Sequence, residues 1–399
     1  MSKMNDIYLD YAATTYIDPV VKKSMERYFT KDFGNPGSFN SYGLIAKKTV
    51  DDARERIAGI LNADANEIVF TGSGTESINL AIKGVARVLR EKGKHIITQK
   101  TEHHAVLETC RYLEKEEGFE ATYLDVDKYG MIDLNELESS IRKDTVLISI
   151  MYANNEIGTI QLIKEIANIA KKHGVILHTD ACQAAGFLDI DVKNIGVDLM
   201  TLNGSKIYAP KGIGLLYVKK GTPIKAIMHG GGQEFGLRPG TENVPSIVGF
   251  ARALELVQKN KDKESKRLGK LRNMLIRGIM EKIPKTILNG HPTMRLPNNV
   301  NVSILNIEGE ALLLHLNEEG ICISTGSACT SNSLEPSHVI LAIGLPYEAA
   351  HGSIRFTLGK KTNKKDIERV LEVMPGFVDS LRMISPVHLE VNEILNEAK

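Results

Sequence analysis

Through the first two-thirds of the chain, short apolar runs alternate with stretches of helical period. Ile68-Val-Phe70 reads as a strand that runs into Thr71-Gly-Ser-Gly-Thr75, and Glu76 to Arg90 carries apolar residues at helical spacing. His95–Thr98, Ala121–Leu124, Thr145–Ile150, Val175–Leu177, Leu199–Thr201 and Gly214–Val218 read as further strands, with helices at Ala105–Glu116 and Ile163–His173. Gly174 supplies the stop signal of the second of these helices. Such alternation predicts an α/β fold with a largely parallel sheet covered by helices on both faces. A long, lysine-rich helix from about Val248 to Glu281 then leads into an α+β segment. Its strands are expected at Asn299–Ile304, Ile321–Ser324 and Ser353–Thr357, and its helices at Ala311–Leu316 and Lys365–Met383. The expected organisation is a large domain over residues 15–260 and a smaller domain built from 1–14 and 261–399.

The chain has 399 residues, with Lys+Arg at 50 and Asp+Glu at 49. A net charge of +1 gives no electrostatic case for nucleic acid or an acidic membrane surface. No apolar run is long enough to span a bilayer, and the opening Met1–Asp6 lacks the apolar core of a signal peptide, so a cytoplasmic protein is expected. Cys110, Cys182, Cys322 and Cys329 form no close Cys-x-x-Cys pair. Free thiols in a reducing compartment fit better than a disulfide framework or a structural zinc.

Two segments carry the main chemical signal. Thr201-Leu-Asn-Gly-Ser-Lys206 presents one lysine on a small-residue turn after an apolar strand. His178-Thr-Asp180-Ala-Cys-Gln183 closes another strand with an acid. Alone, they read as a surface lysine and a helix-capping aspartate. Together they are the two groups that pyridoxal 5'-phosphate asks of a protein: a Schiff-base lysine and an acid for the pyridinium nitrogen.

The remaining motifs agree with that assignment. Thr71-Gly-Ser-Gly-Thr75 lies between strand and helix, where backbone N–H groups, a helix start and hydroxyls suit a phosphate. It lacks the P-loop lysine and the G-x-G-x-x-G spacing, which favours a small phosphate ester over a nucleotide. In Lys100-Thr-Glu-His103-His104, an imidazole at a helix start could stack on a planar cofactor and shuttle a proton. Asn155, in Met151-Tyr-Ala-Asn-Asn155-Glu156, follows the most apolar strand, at the strand end where ligands bind in open α/β sheets. The glycine-rich, polar stretch from His229 to Asn243 is a long irregular connection of the kind that carries function or crosses a dimer interface. Ser324–Pro336 is a small-residue segment holding Cys329, a candidate nucleophile. Arg355 sits within an apolar strand pattern and reads equally as a carboxylate grip or an internal ion pair.

With these residues in view, the chain resembles a cysteine desulfurase, within the class-V aminotransferase group of fold-type I pyridoxal-phosphate enzymes. The likeness runs from Tyr8-Leu-Asp-Tyr-Ala-Ala-Thr-Thr15 and Gly34-Asn-Pro-Gly-Ser38 to Ile354-Arg-Phe-Thr-Leu-Gly359. The Thr-Gly-Ser-Ala-Cys329-Thr-Ser stretch resembles the long-catalytic-loop branch that feeds iron–sulfur cluster assembly and tRNA thiolation. The resemblance implies that Lys206 forms the Schiff base, Asp180 pairs with the ring nitrogen, and His103 stacks on the ring and moves protons. It places Gln183 and Asn155 near the phenolic oxygen, and Gly74, Thr75, Asn203 and Ser205 around the phosphate. Thr241 would reach the phosphate of a partner subunit in a homodimer. Arg355 and Asn155 would hold the carboxylate of L-cysteine, and Cys329 would accept its sulfur as a persulfide for an acceptor protein, an iron–sulfur scaffold first. The family usually has Ser and His where this chain has Asn203 and Ser205, and Cys182 is uncommon at its place. Alternatives are a selenocysteine lyase or other class-V enzyme, and a sulfur-transfer scaffold without cofactor.

Overall fold

A computed structural model describes residues 6–326 and 336–397, with side chains as far as Ile394. Its centre is a seven-stranded sheet in the order Ile68–Thr71, Gly214–Val218, Leu199–Asn203, Ile176–Asp180, Thr145–Ser149, His95–Gln99, Glu120–Leu124. Gly214–Val218 runs antiparallel to both neighbours, and the other pairings are parallel. The expected mainly parallel sheet is therefore present. Thr145–Ser149 is buried at every position, which is why it reads as continuous apolar residues rather than alternating ones.

The connecting helices follow their sequence signals. Ile163–His173 ends at Gly174, which takes the left-handed conformation (φ +66°), with Lys171, Lys172 and His173 in the last turn against the dipole. The long helix spans Val244–Lys282, with Asn243 capping it and a proline in its first turn. One 21-residue helix, Ser41–Leu61, lies in a region where apolar alternation alone predicts no element. Its inward positions include small residues such as Ala46 and Ala53, so the apolar stripe is faint in sequence but close-packed in space.

Beyond the sheet, Thr286–Leu288, Asn299–Ile304 and Ser353–Thr357 form a three-stranded antiparallel sheet. The strand expected at Ile321–Ser324 is confined to Ile321–Cys322, paired with Ile7–Tyr8, while Ser324 bridges to Arg355. One apolar core gathers residues such as Ile57, Phe70, Ile148, Leu202 and Val257, and another gathers Leu9, Leu268, Val302, Phe356 and Val370. Val244–Lys282 contributes to both.

Candidate active site

The parallel strands end on one side of the sheet, and the motifs follow those ends: Gly72–Thr75, Glu102–His103, Met151–Glu156, Asp180–Gln183 and Asn203–Lys206. They enclose a cavity of about 420 Å³. Gly74, Thr75, His103, Asn155, Asp180, Gln183, Asn203, Lys206 and Arg355 all line it. Ser205 is not among the lining residues; its hydroxyl donates to Asn203 Oδ1 at 3.3 Å. Thr241 is exposed and also lies outside the lining. Cys329 falls outside the described residues, but Gly326 and His338, on either side of its segment, line the cavity.

Asp180 is nearly buried and its Oδ1 accepts from the Cys182 N–H at 2.9 Å. Two residues earlier, His178 is locked between the hydroxyls of Ser149 (2.8 Å) and Thr201 (3.0 Å), and burial pushes it down to about 4, so it stays neutral. Lys206 Nζ donates to the Ala13 carbonyl at 2.5 Å, and Gln183 Nε2 donates to that of Ala12 at 3.0 Å. The N–H and hydroxyl of Thr15 both reach the Ser205 carbonyl. The N-terminal segment thus clamps the lysine turn.

His103 caps the helix His104–Glu117 by accepting the Ala105 N–H on Nδ1 at 3.0 Å. The neutral ring therefore carries its proton on Nε2. Burial, the largest influence, lowers its pKa; Asp180 acts against that, and Lys206 and His104 act with it.

Arg355 is 2% exposed. Its Nη2 pairs with Asp10 at 2.8 Å and its Nη1 donates to the Asn155 carbonyl at 3.2 Å. Its Nε is buried without a partner among the described residues. The internal ion pair read as one possibility is present, and an unused donor remains.

Glu102, His104 and Glu156 stand within the motifs with no role legible from sequence, and His338 carries no sequence signal at all. All four line the cavity. Glu102 accepts from the Met151 N–H (2.5 Å) and from Gln99 Nε2 (2.9 Å) on one oxygen, and its other oxygen has no partner among the described residues. Burial raises its pKa to about 8. Glu156 is raised to about 7 by burial and takes a hydrogen bond from the Ser337 hydroxyl at 2.5 Å. An acid one residue before His103 is a local pattern, but its burial is not legible from neighbours in sequence.

The donor set fits a phosphorylated pyridine aldehyde. Lys206 offers the amine and Asp180 the acid. The first N–H groups of the helix Gly74–Leu89 have no acceptor inside the helix. Gly74 leaves its cradle open: an added Cβ would fall 3.0 Å from Cys182 Sγ and 3.3 Å from Asn203 Cβ.

Residues 7–370 match the aminotransferase class-V family. The chain is 54% identical over 381 residues to cysteine desulfurase IscS of Methanosarcina thermophila, covering 96% of this chain and 94% of that one. A solved NifS-like protein superposes with a TM-score of 0.89 at 37% identity, covering 94% of this chain and 100% of that one. A structure of SspA in complex with cysteine gives a TM-score of 0.78 at 38% identity, over 88% of this chain and 98% of that one. A match over nearly the whole chain, on the fold that gathers the lysine, acid and glycine turn at one cavity, makes this chain a member of the class-V aminotransferase family of pyridoxal-phosphate enzymes.

Proposed function

We propose that this chain is a pyridoxal-phosphate-dependent cysteine desulfurase that converts L-cysteine to L-alanine and leaves the sulfur as a persulfide on Cys329. The observation that carries this reading is the meeting of Lys206, Asp180 and Arg355 at one cavity that Gly326 also lines, with Arg355 Nε unpartnered among the described residues. The bound cofactor supplies an electron sink for charge developing at the substrate Cα. In this reading Asp180 would hold the ring nitrogen, His103 would stack on the ring, and Gln183 and Asn155 would serve the phenolic oxygen. Arg355 and Asn155 take the substrate carboxylate. Lys206 would hold the aldehyde through its amine and would serve as the base for the substrate Cα proton. The Cys329 thiolate attacks the substrate sulfur: the S–S bond forms as the substrate Cβ–S bond breaks, and the electron pair of that bond stays with the substrate carbon, which takes up a proton to give alanine.

A homodimer belongs to the same proposal. Phe29, Phe33, Phe39, Tyr42 and Leu44 are exposed, Phe39 at 97%, which is unusual for a soluble monomer's surface. The Pro36–Glu55 region meets Gly232–Phe235 and Glu242 around a common cleft, so this apolar face adjoins the segment bearing Thr241. A second copy covering it would bring Thr241 toward the neighbouring phosphate. We assign the large domain to 15–260 and the small one to 1–14 and 261–399, in keeping with the two apolar cores. The sulfur acceptor we propose is an iron–sulfur scaffold, with a tRNA-thiolation protein second, and the compartment is the cytoplasm. No helix among the described residues is long and apolar enough to cross a membrane.

The test is the visible spectrum of the purified protein before and after L-cysteine, with alanine and sulfide assayed under reductant. A cofactor band that shifts with cysteine, and alanine and sulfide rising together, is the expected result. Alanine formed at the wild-type rate by Cys329→Ala would sink the persulfide step.

A further inference from the structure

Asn203 and Ser205 bond to each other at the end of a strand beside the cavity, and their geometry explains how the pair works. Asn203 ends the strand Leu199–Asn203 and caps the turn Gly204–Lys206. Its Oδ1 accepts from the Ser205 backbone N–H at 3.2 Å and from the Ser205 hydroxyl at 3.3 Å. A backbone N–H can only donate, so the oxygen of the amide must face Ser205. The amide flip is thereby decided by chemistry rather than by density of packing.

The nitrogen is consequently turned the other way. A Cβ built on Gly74 would lie 3.4 Å from Asn203 Nδ2, so the NH₂ group sits against the first residue of the helix Gly74–Leu89. There it joins the N–H groups that have no intrahelical acceptor. Asn203 Nδ2 has no acceptor of its own among the described residues, although Asn203 lines the cavity. Ser205 does not line it, and its hydroxyl is spent on Asn203.

We infer that Ser205 is a positioning residue: its N–H and hydroxyl hold the Asn203 amide with the NH₂ donor turned toward the cofactor phosphate, and Ser205 does not itself touch that phosphate. This rests on the pyridoxal-phosphate reading and deepens it. The pair thus supplies one donor and the group that orients it. Ser205→Ala leaves the backbone N–H on Oδ1, so orientation is weakened rather than lost. Asn203→Ala removes the donor outright.

The experiment compares two probes on the full-length apoprotein: pyridoxal 5'-phosphate and pyridoxal, which lacks the phosphate. Both are followed by the visible band and by equilibrium dialysis. Asn203→Ala should weaken the phosphate ester by about 10- to 100-fold, the span of one charge-assisted hydrogen bond, and leave pyridoxal within about twofold. Ser205→Ala should weaken the phosphate ester by roughly 3- to 10-fold with pyridoxal again unmoved. Ser205→Thr, which keeps the hydroxyl, should restore the wild-type ratio. Ser205→Ala should have no further effect in an Asn203→Ala or an Asn203→Ser background, because no amide remains to orient. The Asn203→Ser variant keeps a small donor and guards against loss of folding in the alanine variant. Equal weakening of both probes by Ser205→Ala would overturn the inference in favour of a merely structural role. Additive losses in the double variants would overturn it in favour of direct phosphate contact. A wild-type apoprotein that takes up neither probe would overturn the cofactor reading itself, and this inference with it.

Discussion

His338 Nε2 donates to the main-chain carbonyl of Glu102 at 2.9 Å, joining the turn that carries His103 to the helix His338–Ala342. A carbonyl can only accept, so the proton of His338 is on Nε2. Burial holds His338 down to about 4, which keeps this ring neutral, and the His104 ring packs 4.7 Å from it. The cavity wall around Glu102 is therefore assembled from segments far apart in the chain, and it buries an acid along with the imidazoles.

Glu102 should make stability fall with rising pH. Its pKa is near 8 in the fold against 4.5 for an ordinary glutamate. Below pH 4.5 both folded and unfolded states hold the proton, and the contribution is fully present. It is lost as pH rises through 8, because only the unfolded chain ionises freely. Glu102→Gln keeps an oxygen for the Met151 and Gln99 donors and has no proton to lose. Its unfolding free energy should decline less than that of wild type between about pH 6 and pH 8, by roughly 2–3 kcal/mol. Urea melts at both pH values test this, and equal slopes would refute it.

Arg355→Gln should raise KM for L-cysteine by about 10- to 100-fold, the scale of one charge-assisted hydrogen bond to a carboxylate. It also leaves Asp10 without its cation, so thermal melting must accompany the kinetics. A fall in kcat with KM unchanged would place Arg355 elsewhere in the mechanism.

The glycine-rich segment should depend on one buried ion pair. Arg54 Nη1 and Nη2 reach the Glu234 carboxylate at 2.8 and 2.6 Å, and Glu234 also accepts from the Phe70 N–H at 2.7 Å. Glu234 and Phe235 adopt left-handed backbone (φ +48° and +59°), a conformation costly for such residues that the pair helps to hold. Removing the charge by Glu234→Gln strands a buried guanidinium and should lower the unfolding free energy by about 3–5 kcal/mol. Sedimentation should show weaker self-association in the same variant, because the segment carries Thr241. Unchanged stability would mean that Arg54 finds another partner.

Gly74→Ala should weaken cofactor binding. The added Cβ meets Cys182 Sγ at 3.0 Å, closer than carbon and sulfur ordinarily approach. A loss of roughly tenfold, within the range of small overpacking changes, is expected. Adding Cys182→Ala should recover most of it, since the sulfur is the nearest obstacle. Titration with pyridoxal 5'-phosphate reads both, and a double variant no better than the single would put the obstacle at Asn203 instead.

Local order explains what could be read from residues alone. Periods of 2 and 3.6 are properties of neighbouring positions, so the alternation of strands and helices, the Gly174 stop and the long helix into the C-terminal segment were all legible. Strand ends in a parallel sheet face one way, so motifs placed after successive strands had to converge. Lys206 and Asp180 pair on the sequence alone because one cofactor asks for both groups. The tertiary structure alone decided which groups lose water and which find partners. Glu102 and Glu156 are acids in polar turns by sequence, and become buried carboxyls only when the Ser337–His338 segment closes over them. Arg355 meets Asp10 across a sequence separation of 345 residues. Ser205 turns its hydroxyl to Asn203 because the strand-to-turn backbone points it there. Periodicity records what each segment is; desolvation and pairing depend on what distant segments bring to it.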